Sequence, residues 1–154
     1  MILDTASAVV SFAEKMENDT AEYYESLTQR FKEDRSLISS FVKENKANIV
    51  KLNKACKGVI TDTNKSDAVF SIEEGEYAIE TLLPNDIEYS DALHKALAFE
   101  RTIIKFYNDA SEQAKGIKAD IPKQFIKAAR VRGNRIYEME TLVNSIEIGS
   151  VNDW

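Results

Sequence analysis

Glu17-Asn18-Asp19-Thr20-Ala21-Glu22-Tyr23-Tyr24 and Glu100-Arg101-Thr102-Ile103-Ile104-Lys105-Phe106-Tyr107 share one pattern: Glu, six residues, Tyr. Seven residues make almost two helical turns, so Glu and Tyr fall on one face. The pattern lies in long segments without proline or glycine. Around the first copy, Val9, Ala13, Met16, Thr20, Tyr24, Leu27 and Phe31 recur at three- and four-residue steps, one amphipathic stripe. Around the second, Leu93, Leu97, Ile104, Tyr107, Ser111 and Ala114 do the same. Each copy therefore sits inside a helix.

Each of these helices is followed by another. Ile38, Phe41, Val42, Asn45, Asn48 and Leu52 match, step for step, Phe125, Ala128, Ala129, Arg132, Arg135 and Met139. The chain thus reads as two helix hairpins related by a pseudo-twofold. The expected helices span 5–33, 36–57, 90–115 and 121–147. Asp4 is a candidate N-cap, Ser90 or Asp91 another, and Pro122 fits a first turn. Gly58, Gly116 and Gly149 are read as helix stops. Between the hairpins the period fades: Thr61 to Ser66 and Leu83 to Asp86 read as loop, with a short helix within 72–83. A connection of about 30 residues is too long for a tight turn and implies a crossover. The fold expectation is all-α: an antiparallel four-helix bundle in one domain, 1–149. Residues 150–154 form a tail in which Trp154 is free to dock.

Polar residues interrupt every stripe near its middle. They are Glu17 in the first helix, Asn45 and Asn48 in the second, Glu100 in the third, Arg132 and Arg135 in the fourth. If the stripes face one core, all six converge on its central layer. Buried charges are rare unless paired, because desolvation costs several kcal/mol per ion. Six at matching depth point to a site or its remnant. His94 lies six residues before Glu100, about 240° away on the helix, and is read as a surface residue. Glu44 and Glu138 are read as surface charges, Tyr24 and Tyr107 as core aromatics, and Cys56 as a small buried hydrophobe. Gly133, inside the fourth helix, is read as a place for another helix to come close.

Composition narrows the classes. The chain has 154 residues, 44% of them hydrophobic, with net charge -6. An acidic chain is a poor partner for nucleic acid or an anionic membrane. One His and one Cys exclude a two-imidazole site and any Cys-based zinc site within the chain. The first residues, MILDTASAVVSFAEK, lack a basic leader, and no apolar run approaches the ~20 residues of a membrane span. A cytoplasmic protein is the expectation.

The layout resembles the rubrerythrin-like branch of the ferritin-like superfamily, over about residues 5–147. In that family each hairpin contributes a Glu from its first helix, with Tyr seven residues on, and a Glu-x-x-His from its second. Together these hold two iron ions. The resemblance makes Glu17 and Glu100 the two retained Glu, and Tyr24 and Tyr107 the accompanying tyrosines. Asn45 and Asn48 stand where one Glu-x-x-His belongs, Arg132 and Arg135 where the other does.

These departures change the expected chemistry. Asn amides are weak ligands, and Arg has no lone pair to give and stays charged. The expectation is a ferritin-like bundle that has lost its di-iron site, without cofactor and not an enzyme. It would be a structural or interaction protein, a homodimer, with a Glu/Arg/Asn network in its core. The competing reading is an oxidoreductase with an altered iron site using Glu17 and Glu100. A weaker one has the Arg pair binding a small anion.

Overall fold

The computed structural model describes residues 1–62, 70–117 and 120–152. Four long helices dominate it: α1 (Ala6–Arg30), α2 (Arg35–Asp62), α3 (Tyr89–Gln113) and α4 (Asp120–Asn152). α1 and α3 are both 25 residues long, and Glu17 and Glu100 are each the twelfth residue of their helix. Tyr24 and Tyr107 likewise match, and the two burial patterns run almost in parallel. The repeat read in the sequence is a repeat of structure.

Contacts fix the direction of every helix. Glu25 meets Lys46, Glu17 meets Asn48, and Glu14 meets Asn53, so α1 and α2 are antiparallel. His94 meets Glu147, Arg101 meets Glu140, and Ser111 meets Pro122, so α3 and α4 are antiparallel too. Tyr23 bonds the Ala92 carbonyl while Phe12 packs on Phe106, which makes α1 antiparallel to α3. α2 and α3 therefore point the same way. The chain between them must travel back along the bundle, about 38 Å for a 25-residue helix, which is why the connection is long.

Local chemistry sets the ends. The N-cap of α1 is Thr5, whose hydroxyl accepts from Ala8 N at 3.1 Å; Asp4, one residue earlier, uses its carbonyl to accept from Phe70 N. The α1–α2 turn needs a left-handed residue, and Asp34 supplies it with φ 57°. Asp is among the few side chains that tolerate this. Its carboxylate accepts from Tyr89 Oη at 2.9 Å, tying the turn to the start of α3. α3 begins after Glu88, which makes no side-chain cap, rather than at a Ser90 or Asp91 cap.

The stops differ from the sequence expectation in two places. α2 runs past Gly58 to Asp62, and α4 past Gly149 to Asn152. An interior Gly costs about 1 kcal/mol, too little to end a helix that is otherwise continuous. The tail expected at 150–154 is thus helical to Asn152, and Trp154 lies outside the described residues. So do the expected loop positions Thr63, Asn64 and Ser66, whereas Thr61 and Asp62 close α2. α3 gives way at Gln113 to one 3-10 turn, Ala114–Gly116.

The short helix expected within 72–83 does not form. β2 (Ile72–Glu73) instead pairs antiparallel with β1 (Ile2–Leu3), and a single 3-10 turn follows at Glu74–Tyr77. Leu3 and Ile72 are buried side by side in register. The Gln113 amide completes the tether: its Oε1 accepts from Ser71 N at 2.7 Å and its Nε2 donates to Ser71 O at 3.3 Å. With no strong helical period to hold a helix here, pairing with Leu3 and burial of Ile72 and Tyr77 set the form of the segment. Tyr77 packs edge-on against Phe106, with its hydroxyl 2.5 Å from an Asp109 carboxylate oxygen.

The core is aromatic at both ends of its central layer. Tyr23, Tyr24, Phe41 and Phe99 interlock edge to face on one side; on the other Phe106 meets Tyr107 edge to face and Tyr107 stacks on Phe125. Cys56 is buried, and burial pushes its thiol pKa up to about 11. Among the described residues no helix is long and apolar enough to cross a membrane.

Candidate functional site: a buried carboxylate–guanidinium layer

All six polar residues singled out in the stripes meet in the middle of the bundle. Glu17, Asn45, Glu100, Arg132 and Arg135 are at most 2% exposed, and Asn48 is half-buried. The helix stripes force this: Glu17 and Glu100 stand singly, and Asn45/Asn48 and Arg132/Arg135 as pairs, between apolar stretches of stripes that face the core.

Arg132 is the hub. Its Nη2 lies 2.7 Å from Glu17 Oε2, and its Nη1 pairs with Glu100 Oε1. One guanidinium thus bridges the carboxylates of both hairpins. Burial works against its charge, but the Glu100 and Glu17 carboxylates outweigh that and hold its pKa well above the usual guanidinium value. Arg135 adds a second cation 3.3 Å from Glu100 Oε1, and its Nη2 donates to Phe41 O and to Glu44 Oε1 at 3.0 Å. Its guanidinium also stacks over the Phe41 ring, 4.8 Å from the centroid. Two buried cations face two buried carboxylates, and the fork geometry of Arg suits such sharing.

The amides fill in around Glu17. Asn48 Nδ2 donates to Glu17 Oε1 at 2.9 Å, and Tyr107 Oη donates to the same oxygen at 2.6 Å. Burial, then the Glu17 charge, drives the Tyr107 pKa well above its ordinary value. That keeps the phenol in its protonated form, as the hydrogen-bond donor to Glu17. Asn45 does not reach the carboxylate. Its Nδ2 donates to the Glu17 carbonyl at 2.9 Å and to Thr20 Oγ1 at 2.8 Å.

The pseudo-symmetry is broken at one tyrosine. Tyr107 reaches across to the other hairpin's Glu, but Tyr24 does not reach Glu100; its hydroxyl points to Met139 Sδ at 3.9 Å. Arg135 has taken the place, lying over the Tyr24 ring at 5.4 Å while it bonds Glu100. An Asn at that position, as Asn48 shows for Glu17, leaves room for the tyrosine; an Arg fills it.

Three participants were not legible as site residues. Thr20 links Asn45 and Arg132 while its own hydroxyl donates to Met16 O at 2.8 Å. Gln124 Nε2 lies 3.5 Å from Asn48 Oδ1; its signal is its place eleven residues before Arg135, nearly the same helical face. Glu44, expected as a surface charge, is half-exposed yet answers Arg135 from the rim. The length of the Arg side chain, not the helix stripe, brings it in. His94 is exposed beside Glu147, and Glu138 is exposed, as read from the sequence. Gly133 faces open space: a Cβ there would meet nothing within 4 Å, so among the described residues no other helix comes close to it.

The donor set does not fit a di-iron centre. Among the described residues no group of three or more His, Cys, Asp or Glu side chains is arranged to hold a metal ion. The carboxylates that would bridge metals are instead bridged by Arg132. A hard cation there would meet two guanidiniums at contact range. Comparison of the chain with family models, with curated proteins and with solved structures gave no match in any of the three.

Proposed function

We propose that this chain is a ferritin-like bundle of the rubrerythrin type whose metal site has been replaced by an internal salt bridge. On this reading it works as a non-enzymatic structural or interaction module, as a homodimer in the cytoplasm. The observation that carries it is Arg132, whose guanidinium joins Glu17 and Glu100 across the two hairpins. Support also comes from the helix directions, from the twin Glu-x6-Tyr helices, and from the matched spacing of Asn45/Asn48 with Arg132/Arg135.

Glu17 and Glu100 are closed off from solvent and charge-compensated, which suits neither a general base nor a metal ligand. A small anion at the Arg pair has little to gain, since both guanidiniums already face carboxylates. The test is a titration with ferrous iron and, separately, manganese, followed by thermal melting and light scattering. The expected outcome is no saturable rise in melting temperature and a mass twice that of the chain. A ligand that binds the native state must stabilise it by mass action. A saturable shift at two irons per chain would return the protein to the oxidoreductases.

A further inference from the structure

Lys51 and Lys54 of α2 and Lys123 and Lys127 of α4 line one surface cleft of about 310 Å³, together with Ala55, Gln124 and Asp120. All four lysines are exposed. None of them is ion-paired among the described residues. Five lysines elsewhere on the molecule are answered within the chain, Lys15 by Asp19, Lys46 by Glu25, Lys95 by Glu80, Lys105 by Asp109 and Lys115 by Glu112. Lys32 and Lys43 are, like the cleft lysines, exposed and not ion-paired among the described residues, but neither lines this cleft. A chain of net charge -6 has carboxylates to spare, yet only Asp120 stands in this cleft. Four ammonium groups held around one concavity repel each other, and a concavity of one sign concentrates counter-ions.

We propose that this cleft between α2 and α4 binds a compact polyanion, a small molecule carrying two or more phosphate groups. Lysines suit it because each ammonium is a point charge on a flexible stem and needs no planar partner. Gln124 adds an amide at the cleft wall, and that same amide contacts Asn48 of the central layer. A small anion lies wholly within the cleft. An extended polyanion would also run over the acidic remainder of the surface, within about a Debye length of 8–10 Å at ordinary salt. The proposal does not depend on how the central layer is interpreted.

The probe is inorganic tripolyphosphate, titrated calorimetrically into the full chain at low salt. Saturable binding of one probe per chain is expected, weakening as salt is raised. The double variant Lys54→Glu/Lys127→Glu should bind at least ~10-fold more weakly, given the usual reach of focused electrostatics. Lys32→Glu/Lys43→Glu changes the net charge equally, at exposed positions away from the cleft, and should bind like the parent. If the charge reversals do not fold, as judged by circular dichroism, Lys54→Gln/Lys127→Gln reads out the same loss. Absence of heat with the parent chain overturns the proposal. So does equal weakening in both double variants, which would mean diffuse charge attraction. So does tighter binding to phosphatidylserine vesicles through the same lysines, which would mean a membrane surface instead.

Discussion

Arg132 makes contacts that no other side chain in the core could make. A Lys at that position would offer one point charge, whereas the guanidinium fork reaches Glu17 and Glu100 together. Replacing it by Met leaves Glu17 buried without a cation and Glu100 with Arg135 alone, and breaking a buried pair on one side costs about 3–5 kcal/mol. Urea unfolding of Arg132→Met should show a loss of that size. Glu17→Gln and Glu100→Gln in the Arg132→Met background should recover much of it, with a coupling above ~1 kcal/mol in the cycle. The exposed pair Arg101–Glu140 serves as the reference: Arg101→Met should change stability by less than about 1 kcal/mol. If Arg132→Met melts like Arg101→Met, the central layer is not held by charge.

The buried phenols and the thiol make the fold sensitive to alkali. Burial raises the pKa of Tyr107, of Tyr24 and of Cys56, the last to about 11. The protonated forms are therefore favoured in the folded state, and the unfolded chain loses these protons first. Their contribution is fully present below the unfolded values, about 8.5 for Cys and 10 for Tyr, and is lost as pH rises through the folded ones. Stability measured across pH 8 to 11 should fall, and Tyr107→Phe should flatten the part of the decline above pH 10. Iodoacetamide should label Cys56 far more slowly in the native protein than in urea at the same pH. Native labelling at the urea rate would place the thiol at the surface.

At the scale of the element, two single residues carry opposite signs. Gly133 sits in the interior of α4, exposed, with open space around it. Gly133→Ala should stabilise the protein by about 1 kcal/mol, the ordinary helix-propensity difference. Asp34 holds the α1–α2 turn in the left-handed region and accepts a bond from Tyr89. Asp34→Asn keeps both features and should be near neutral, whereas a β-branched Val should cost about 1–2 kcal/mol. A shift of melting temperature measures each, and a destabilised Gly133→Ala would mean that something other than the described residues occupies the outer face of α4.

At the scale of the whole molecule, the antiparallel hairpins and the long return between them give a bundle with two like halves. The halves are joined through the centre: Arg132 of the second hairpin holds Glu17 of the first, and Tyr107 of the second donates to the same Glu17. The network need not add much net stability, since buried pairs often only break even against apolar packing. Its sharper effect is on register, because a one-turn slip of α4 against α1 would strand two guanidiniums and two carboxylates in the core. The triple variant Arg132→Met/Glu17→Gln/Glu100→Gln should therefore fold with a helical circular dichroism spectrum while its amide resonances broaden or double. Sharp single resonances identical in number to the parent's would show that packing alone sets the register.

Periodicity determined the four long helices and placed the six polar residues on their core-facing stripes, because a residue's angular position on a long helix follows from its number. The match of Ala6–Arg30 with Tyr89–Gln113 was already written in two copies of Glu-x6-Tyr. Three things depended on the fold. The segment 72–77 lies where the helical period fades, and pairing with Leu3 and burial of Ile72 and Tyr77 decided its form. The division of labour among the polar residues came from side-chain reach: Asn45 stops at a backbone carbonyl, Arg132 spans two carboxylates, and Arg135 extends to Glu44 and displaces Tyr24. The lysine cleft was invisible as well, because it joins residues of α2 to residues of α4 far along the chain. A sequence specifies which face of a helix a residue occupies; which residues of another helix stand opposite is set only when the helices pack.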